Sequence, residues 1–557
     1  MSTIIGLYGI PDLSNDEYPF LVHDHNITVF ENGNIKNYLH LERFTRKKFD
    51  AGMPGMITDI SRTLGLIPAN ESIFIFVDHE IGRAFLSDDK QVRFEAPFSE
   101  KLSVAPEKAR LYWYGNYPEA YIINHELAHI YSCVPFFGDF KENSLAIHFD
   151  GGASRSNFSA WTHKEGKLKL LEANYDYKWL SGLFNANALV FAMVNTKKKE
   201  QNSVPGKFMG LEAYGNYNRE IEKWLIENDF FSSIWSSKST FFKQAGKKFG
   251  VTLKHIDNKS PFIQDIAATI HEIFIREMMK VFTKLAKKSC ADYLYYSGGS
   301  ALNIKLNAAI LRSGLFKEVF IPPCTNDSGL SLGAIAALCD MKGIPIKTVT
   351  PYLNNFAKKM PEVSDINFSS INKIGDLIAE NAVLGICNGD GEVGPRALGN
   401  RSIIARADSK QLVRKISIEC KQREWYRPVA PIMLEKNAKY FTGHMHFEPI
   451  SELMITEYKI LPEKIQELEG CVHIDGTSRI QVLRSAEQNK FMFELLSYLD
   501  EKHKIKALIN TSFNRKGEPI VQTTDQAFEA ATAMKLDGVV LNGELKEFLF
   551  EGKDYKA

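Results

Sequence analysis

The spacing of apolar and polar residues marks out strands and helices alternating along the chain. Thr3 to Tyr8 and Asn26 to Phe30 read as strands, and Asn32-Gly33 after the second is a hairpin signal, so the chain opens with antiparallel strands. Ile10 to Phe20, polar and acidic, reads as an inserted loop between them. Ser72 to Asp78 follows as a buried strand, and HELAHIYSC, free of Gly and Pro, as a helix. Leu145 to Phe149 is a strand that ends on Asp150, just before Gly151-Gly152. Pro205 to Gly215, with three glycines around Lys207, reads as a turn-rich loop. A long amphipathic helix over Phe262 to Ser289 leads to the strand Tyr293 to Tyr296, the turn Ser297-Gly298-Gly299-Ser300 and a further helix start; Leu330 to Cys339 is helical. Prolines 345, 351 and 361 then break the pattern within Met341 to Ser370. This predicts a domain over 1–345, a linker over 346–370, and a second domain over 371–557 that opens with a helix, Ile371 to Asn381, and a strand, Val383 to Cys387.

Composition narrows the class. A chain of 557 residues exceeds one core and implies about three or four domains or subdomains. Hydrophobic content of 44% and charged content of 24% are ordinary for a globular enzyme. With 68 basic against 67 acidic residues, no general attraction to nucleic acid or to a membrane surface is expected, and local basic clusters read as sites. Apolar runs stay below the roughly 18 to 20 residues a membrane span needs, and MSTIIGLYGI lacks a basic leader, so a cytoplasmic location is expected. The seven cysteines are scattered without a C-x-x-C pair, which supports neither a disulfide framework nor a cysteine zinc site.

Three groups of residues carry candidate chemistry. His125 and His129, four apart on a helix, present both imidazoles on one face; Asp150 and Asp327, the latter in a loop ahead of a helix, complete a candidate metal set. The same segment satisfies H-E-x-x-H, in which Glu126 is the general base of a metallopeptidase; the plain alternative is a histidine pair without a metal. Gly298-Gly299 between a strand and a helix is a phosphate or nucleotide candidate, without being a Walker or G-x-G-x-x-G sequence. In the second domain Arg396, Arg401, Lys421, Arg423, Arg427 and Arg479 sit in loops rich in Gly, Pro, Ser and Asn, where guanidinium forks suit phosphate and carbonyl oxygens. The basic run Leu41 to Lys48 reads equally as a solvated helix face.

Taken in order, the motifs resemble the NodU/CmcH-type O-carbamoyltransferase family. They are His23-Asp24, Glu42-Arg43-Phe44-Thr45-Arg46, His125 with His129, Phe149-Asp150-Gly151, Gly206-Lys207 with Met209-Gly210, Gly298-Gly299 with Asn303, Asp327-Ser328-Gly329, Gly394-Pro395-Arg396-Ala397-Leu398-Gly399, Arg423-Glu424 with Arg427-Pro428, and Asn510-Thr511-Ser512-Phe513-Asn514. The resemblance implies an α/β chain with an N-terminal actin-like ATPase (ASKHA) fold followed by a C-terminal YrdC-like α/β domain. It implies that carbamoyl phosphate and ATP give carbamoyl-adenylate in the second domain, and that the carbamoyl group then passes in the first domain to a hydroxyl of a small molecule, such as a natural product or a sugar.

By the same resemblance, Arg396, Arg401, Lys421, Arg423, Arg427, Arg479, Asn510 and Ser512 bind carbamoyl phosphate and ATP, with Arg396 and Arg427 also catalytic. His23 is the general base and Lys48 lies near it; Lys207, Gly298, Gly299 and Asn303 contact nucleotide. His125, His129, Asp150 and Asp327 hold a divalent metal, iron(II) foremost, or zinc or manganese, while magnesium accompanies ATP. A homodimer is a family expectation. Three departures stand out. Glu126 takes the place of another family histidine, His25 follows Asp24 where the family has alanine, which makes His25 a rival base, and Val393 replaces an aromatic. Carbamoyl transfer to a tRNA or protein, peptidase action through His125-Glu126-Leu127-Ala128-His129, and a catalytically silent metal and nucleotide binder remain as alternatives.

Overall fold

The computed structural model describes residues 3–11, 22–67, 71–79, 82–177, 202–231, 238–251, 258–356 and 370–548. Most of the expected inserted loop, at 12–21, and residues 357–369 of the expected linker lie outside them. The chain divides into two compact units, Ser2–His23 with Ala69–Thr348, and Asp24–Pro68 with Val349–Ala557. The periodicity alone puts Asp24–Pro68 with the N-terminal part. The structure groups it with the C-terminal part, and hydrogen bonds of long sequence separation are the reason. Arg43 reaches the Gly394 carbonyl at 3.4 Å, and Arg46 reaches the carbonyls of Ile520 and Pro519 at 2.6 and 2.9 Å. Arg43 is thus 1% exposed rather than solvated.

Within the first of these units, a five-stranded sheet runs Lys167–Asn174, Phe158–Lys164, Ser144–Phe149, Tyr293–Ser297, Glu318–Phe320. The first three strands are antiparallel and the last two join in parallel, a 3-2-1-4-5 order in chain sequence, as the actin-like expectation requires. Ile4–Tyr8, Ile73–Val77 and Glu119–Ile123 pair in parallel in another sheet of the same unit. These strands are apolar on both faces and nearly wholly buried, as parallel strands covered by helices must be. Pro205 to Gly215 is not a loop. Val204–Leu211 is helical, because Val204, Phe208 and Leu211 bury one stripe and Pro205 sits in the first turn, where a missing N–H costs nothing.

The other unit holds the Asn26–Glu31 and Asn34–His40 hairpin, whose Asn32 and Gly33 both take positive φ as a type I′ turn demands. Its main body is a mixed seven-stranded sheet in which Leu384–Cys387, Arg401–Arg406 and Leu508–Ser512 are central, covered by the helices Ile371–Ala379, Lys490–His503 and Thr524–Ala533. Both units are therefore α/β, and the order and directions of the five-stranded sheet agree with the actin-like fold expected for the N-terminal part.

Candidate functional site

The histidine cluster is built by one short helix and the loops that meet it. Asn124 caps His125–Tyr131 by accepting from the Leu127 N–H at 2.8 Å. Four-residue spacing then brings the Nε2 atoms of His125 and His129 to 3.0 Å. Asp327 opens the helix Leu330–Lys342, which packs so tightly on the histidine helix that a Cβ on Gly333 would lie 1.8 Å from the Ala128 carbonyl oxygen. Its Oδ1 stands 3.6 Å from His125 Nε2 and 3.5 Å from His129 Nε2, and Asp150 Oδ2 lies 3.5 Å from His129 Nε2. All four expected metal ligands therefore converge.

Electrostatics bind the group together. Burial favours a neutral His125, yet the carboxylates around it, Asp327 foremost with Asp150 and Glu126, together outweigh it and raise the imidazole pKa. Burial opposes ionisation of Asp327, but His23 and His125 hold it well below the carboxylate range. Two imidazole nitrogens and two carboxylates are a mixed N/O donor set, and they fit a divalent cation. His23, 20% exposed, turns Nδ1 to within 4.0 Å of Asp327 Oδ2. His25 is fully buried and its Nδ1 accepts from the Met53 N–H at 3.4 Å. Glu126 takes no part: its carboxylate accepts from Ser154 N–H at 3.2 Å, Arg155 N–H at 2.7 Å and the Ser156 hydroxyl at 3.1 Å. A carboxylate so occupied cannot serve as a peptidase base.

The Gly-Gly turn adjoins the same cluster. Gly298, at φ 101°, lies so close to the end of the neighbouring strand Ser144–Phe149 that a Cβ would meet the Phe149 oxygen at 2.3 Å, and Gly299 N–H donates to Asp150. The Asn303 side chain is occupied, its oxygen capping the helix Ile304–Ser313 at Leu306 N–H and its amide contacting His271 Nε2 at 3.0 Å. Lys207 is buried in the Val204–Leu211 helix.

The arginine cluster lies within the unit that contains Asp24–Pro68 and Val349–Ala557. Glu392 organises its first loop, accepting at one oxygen from the N–H groups of Leu398, Asn400 and Arg401 at 2.8 to 3.1 Å. Arg396, Arg423 and Arg479 are half-buried and have no carboxylate within ion-pair distance among the described residues, whereas Arg427 pairs with Glu424 at 3.2 Å. Burial and the charges of Arg427 and Arg423 push Arg396 down to about 10; burial with Arg427 and Arg479, and burial with Arg396 and Arg427, push Arg423 and Arg479 well below the usual range. A π-helical turn, Lys415–Cys420, delivers Lys421, whose ammonium donates to Asn514 Oδ1 at 2.8 Å and to Ser512 Oγ at 3.2 Å. Burial and the charges of Arg423 and Arg427 depress Lys421, and the charge of Lys48 adds to this. Asn510 donates to Gln481 Oε1 at 2.7 Å, leaving its own oxygen without a partner.

Arg401 differs. Its guanidinium donates at 2.8 to 3.1 Å to the carbonyls of Asn388, Gly389, Asn400 and Gln522, using every N–H. It is a buried clamp for the loop rather than a phosphate ligand.

Sequence profiles described as Carbamoyltransferase N-terminus and Carbamoyltransferase C-terminus match residues 19–337 and 375–547. The chain belongs to the carbamoyltransferase family. Among its relatives, the carbamoyltransferase is 33% identical to nodulation protein U of Sinorhizobium fredii, over 75% of this chain and 76% of that one. It is 30% identical to nodulation protein NolO of Bradyrhizobium diazoefficiens over 60% and 64%, and 28% identical to protein MJ1051 of Methanocaldococcus jannaschii over 94% and 98%. Full-length HypF in a phosphate- and nucleotide-bound form is similar at 13% identity and a TM-score of 0.33, covering 61% of this chain and 55% of that one, too distant to carry an argument. No helix among the described residues is long and apolar enough to cross a membrane.

Several residues of the carbamoyltransferase sites escape sequence reasoning. Tyr8, on a buried strand, donates to Asp327 Oδ2 at 2.8 Å; His148, two residues before Asp150, stacks on His129; Gln481 holds Asn510. Only His148 had a signal, a lone polar residue in the apolar run Leu145 to Phe149.

Proposed function

We propose that the protein is an ATP-dependent O-carbamoyltransferase acting on a hydroxyl of a small molecule. Arg396, Arg423, Arg427 and Arg479 bind the anionic substrates carbamoyl phosphate and ATP, with magnesium on the nucleotide. Water cleaves phosphate from carbamoyl phosphate, the freed carbamate oxygen attacks the α-phosphorus of ATP, and pyrophosphate leaves as carbamoyl-adenylate forms. The guanidiniums neutralise the charge that gathers on the phosphoryl oxygens, and Lys421 and Asn510 orient the carbamoyl end.

The transfer step belongs to the histidine cluster. His125, His129, Asp150 and Asp327 hold a divalent ion, which when bound supplies Lewis-acid polarisation of a carbonyl. His23 takes the proton of the acceptor hydroxyl, whose oxygen bonds to the carbamoyl carbon, and AMP leaves. Lys207 and the Gly298-Gly299 turn contact the nucleotide.

The observation that carries this reading is the grouping of Arg396, Arg423 and Arg479 without paired carboxylates, an arrangement that is unfavourable until an anion enters. Pyrophosphate release from ATP, with and without carbamoyl phosphate and with no acceptor present, tests it. Release that depends on carbamoyl phosphate is expected; ATP turnover indifferent to carbamoyl phosphate overturns the adenylate route.

A further inference from the structure

His148 is the one polar residue in the apolar run Leu145 to Phe149. It lies in the strand Ser144–Phe149, and alternation along the strand turns it to the same face as Asp150, two residues on. It is fully buried. Its ring stacks on His129, with centroids 5.1 Å apart and planes at 23°, and lies 6.2 Å from the His125 ring. One ring nitrogen from each of His125, His129 and His148 falls within 4.8 Å of the others.

The two nitrogens of His148 are in different positions. Nδ1 lies 3.4 Å from Ser159 Oγ, directly opposite on the neighbouring strand, and that hydroxyl accepts from Trp161 Nε1 at 3.0 Å. Nε2 has no hydrogen-bond partner among the described residues. An imidazole nitrogen left unpaired in a dry interior is unfavourable. Nothing on the adjoining strand relieves that cost, whereas an ion among the neighbouring histidines does.

We propose that His148 is a third imidazole donor to the ion held by His125, His129, Asp150 and Asp327. The inference rests on the metal reading of that cluster and deepens it. Three nitrogens against two carboxylates turn preference toward zinc, iron and cobalt and away from manganese and magnesium, which favour oxygen. Ser159 is then a positioning residue, its hydroxyl holding the ring through Nδ1 while Nε2 binds the ion.

The test uses the full-length protein, stripped by a chelator and titrated with Co(II) alone. His148→Phe, which keeps a ring of similar size without a donor, is expected to weaken Co(II) binding at least about 10- to 100-fold and Mn(II) binding much less. His148→Cys restores a donor and is expected to add a thiolate-to-cobalt charge-transfer absorption in the near ultraviolet. If His148→Phe binds Co(II) as the parent does, or if His148→Cys folds and binds cobalt without that absorption, the proposal is overturned. Should His148→Phe fail to fold, the cysteine variant decides alone. His129→Ala separates the two levels: unchanged Co(II) binding in that variant overturns the metal reading itself, whereas its loss beside an unaffected His148→Phe overturns only the role of His148.

Discussion

The histidine cluster and the arginine cluster present opposite electrostatic problems. In the first, buried histidines face buried carboxylates, so each charge has a partner and Asp327 ionises readily despite its burial. In the second, Arg396, Arg423 and Arg479 face one another and Arg427, and each loses basicity for it. A paired cluster is stable as it stands and waits for a cation; a like-charged cluster is strained as it stands and waits for an anion. Charge pairing therefore points to the kind of ligand each region takes.

The largest effect expected is on the paired side. Asp327→Ala leaves His125 without the carboxylate that raises its pKa, and removing one member of a buried pair costs about 3 kcal/mol, the low end of the range because histidine can shed its proton. The metal-free variant should unfold at lower urea than the parent, and an unchanged midpoint would break the comparison on this side.

On the unpaired side the sign reverses. Arg479→Met removes one of the mutually repelling charges, so the substrate-free protein should gain about 1 kcal/mol or more while pyrophosphate release falls about 10²- to 10³-fold. Carbamoyl phosphate should raise the melting temperature of the parent and leave the variant unmoved. A variant that lost stability would show that Arg479 has a structural partner instead.

The smallest effect sharpens the boundary of the arginine cluster. Arg401→Lys cannot reproduce contacts to four carbonyls, and a destabilisation of about 1–3 kcal/mol is expected in urea unfolding, with anion binding altered only through the loop it clamps. Equal loss of carbamoyl phosphate affinity in a stable Arg401→Lys variant would return this residue to the phosphate site.

Much of the fold was legible because its signals are local. The Asn32-Gly33 turn, the long helix Pro261–Ser289 and the strand that ends at Asp150 follow from periodicity and turn chemistry. The four candidate metal ligands were singled out through helical spacing, strand ending and family resemblance, and the structure brings their side chains together. Arg401 and Glu126 were not legible. An arginine in a glycine-rich loop looks alike whether it clamps carbonyls or binds phosphate, and Glu126 fits a peptidase pattern until its oxygens are seen on Ser154, Arg155 and Ser156.

What the sequence determined by itself was the inventory: which residue types recur at which spacing, and hence an α/β chain of the carbamoyltransferase kind with a histidine and an arginine chemistry. What only the tertiary structure decided was pairing. Whether Asp24–Pro68 groups with Val349–Ala557, and whether His148 meets His129, depend on contacts between residues tens to hundreds of positions apart. Local patterns encode backbone conformation, with periods of two and 3.6 residues, but carry no record of such distant neighbours. A charge or a ring nitrogen takes its role from the partner that burial forces upon it.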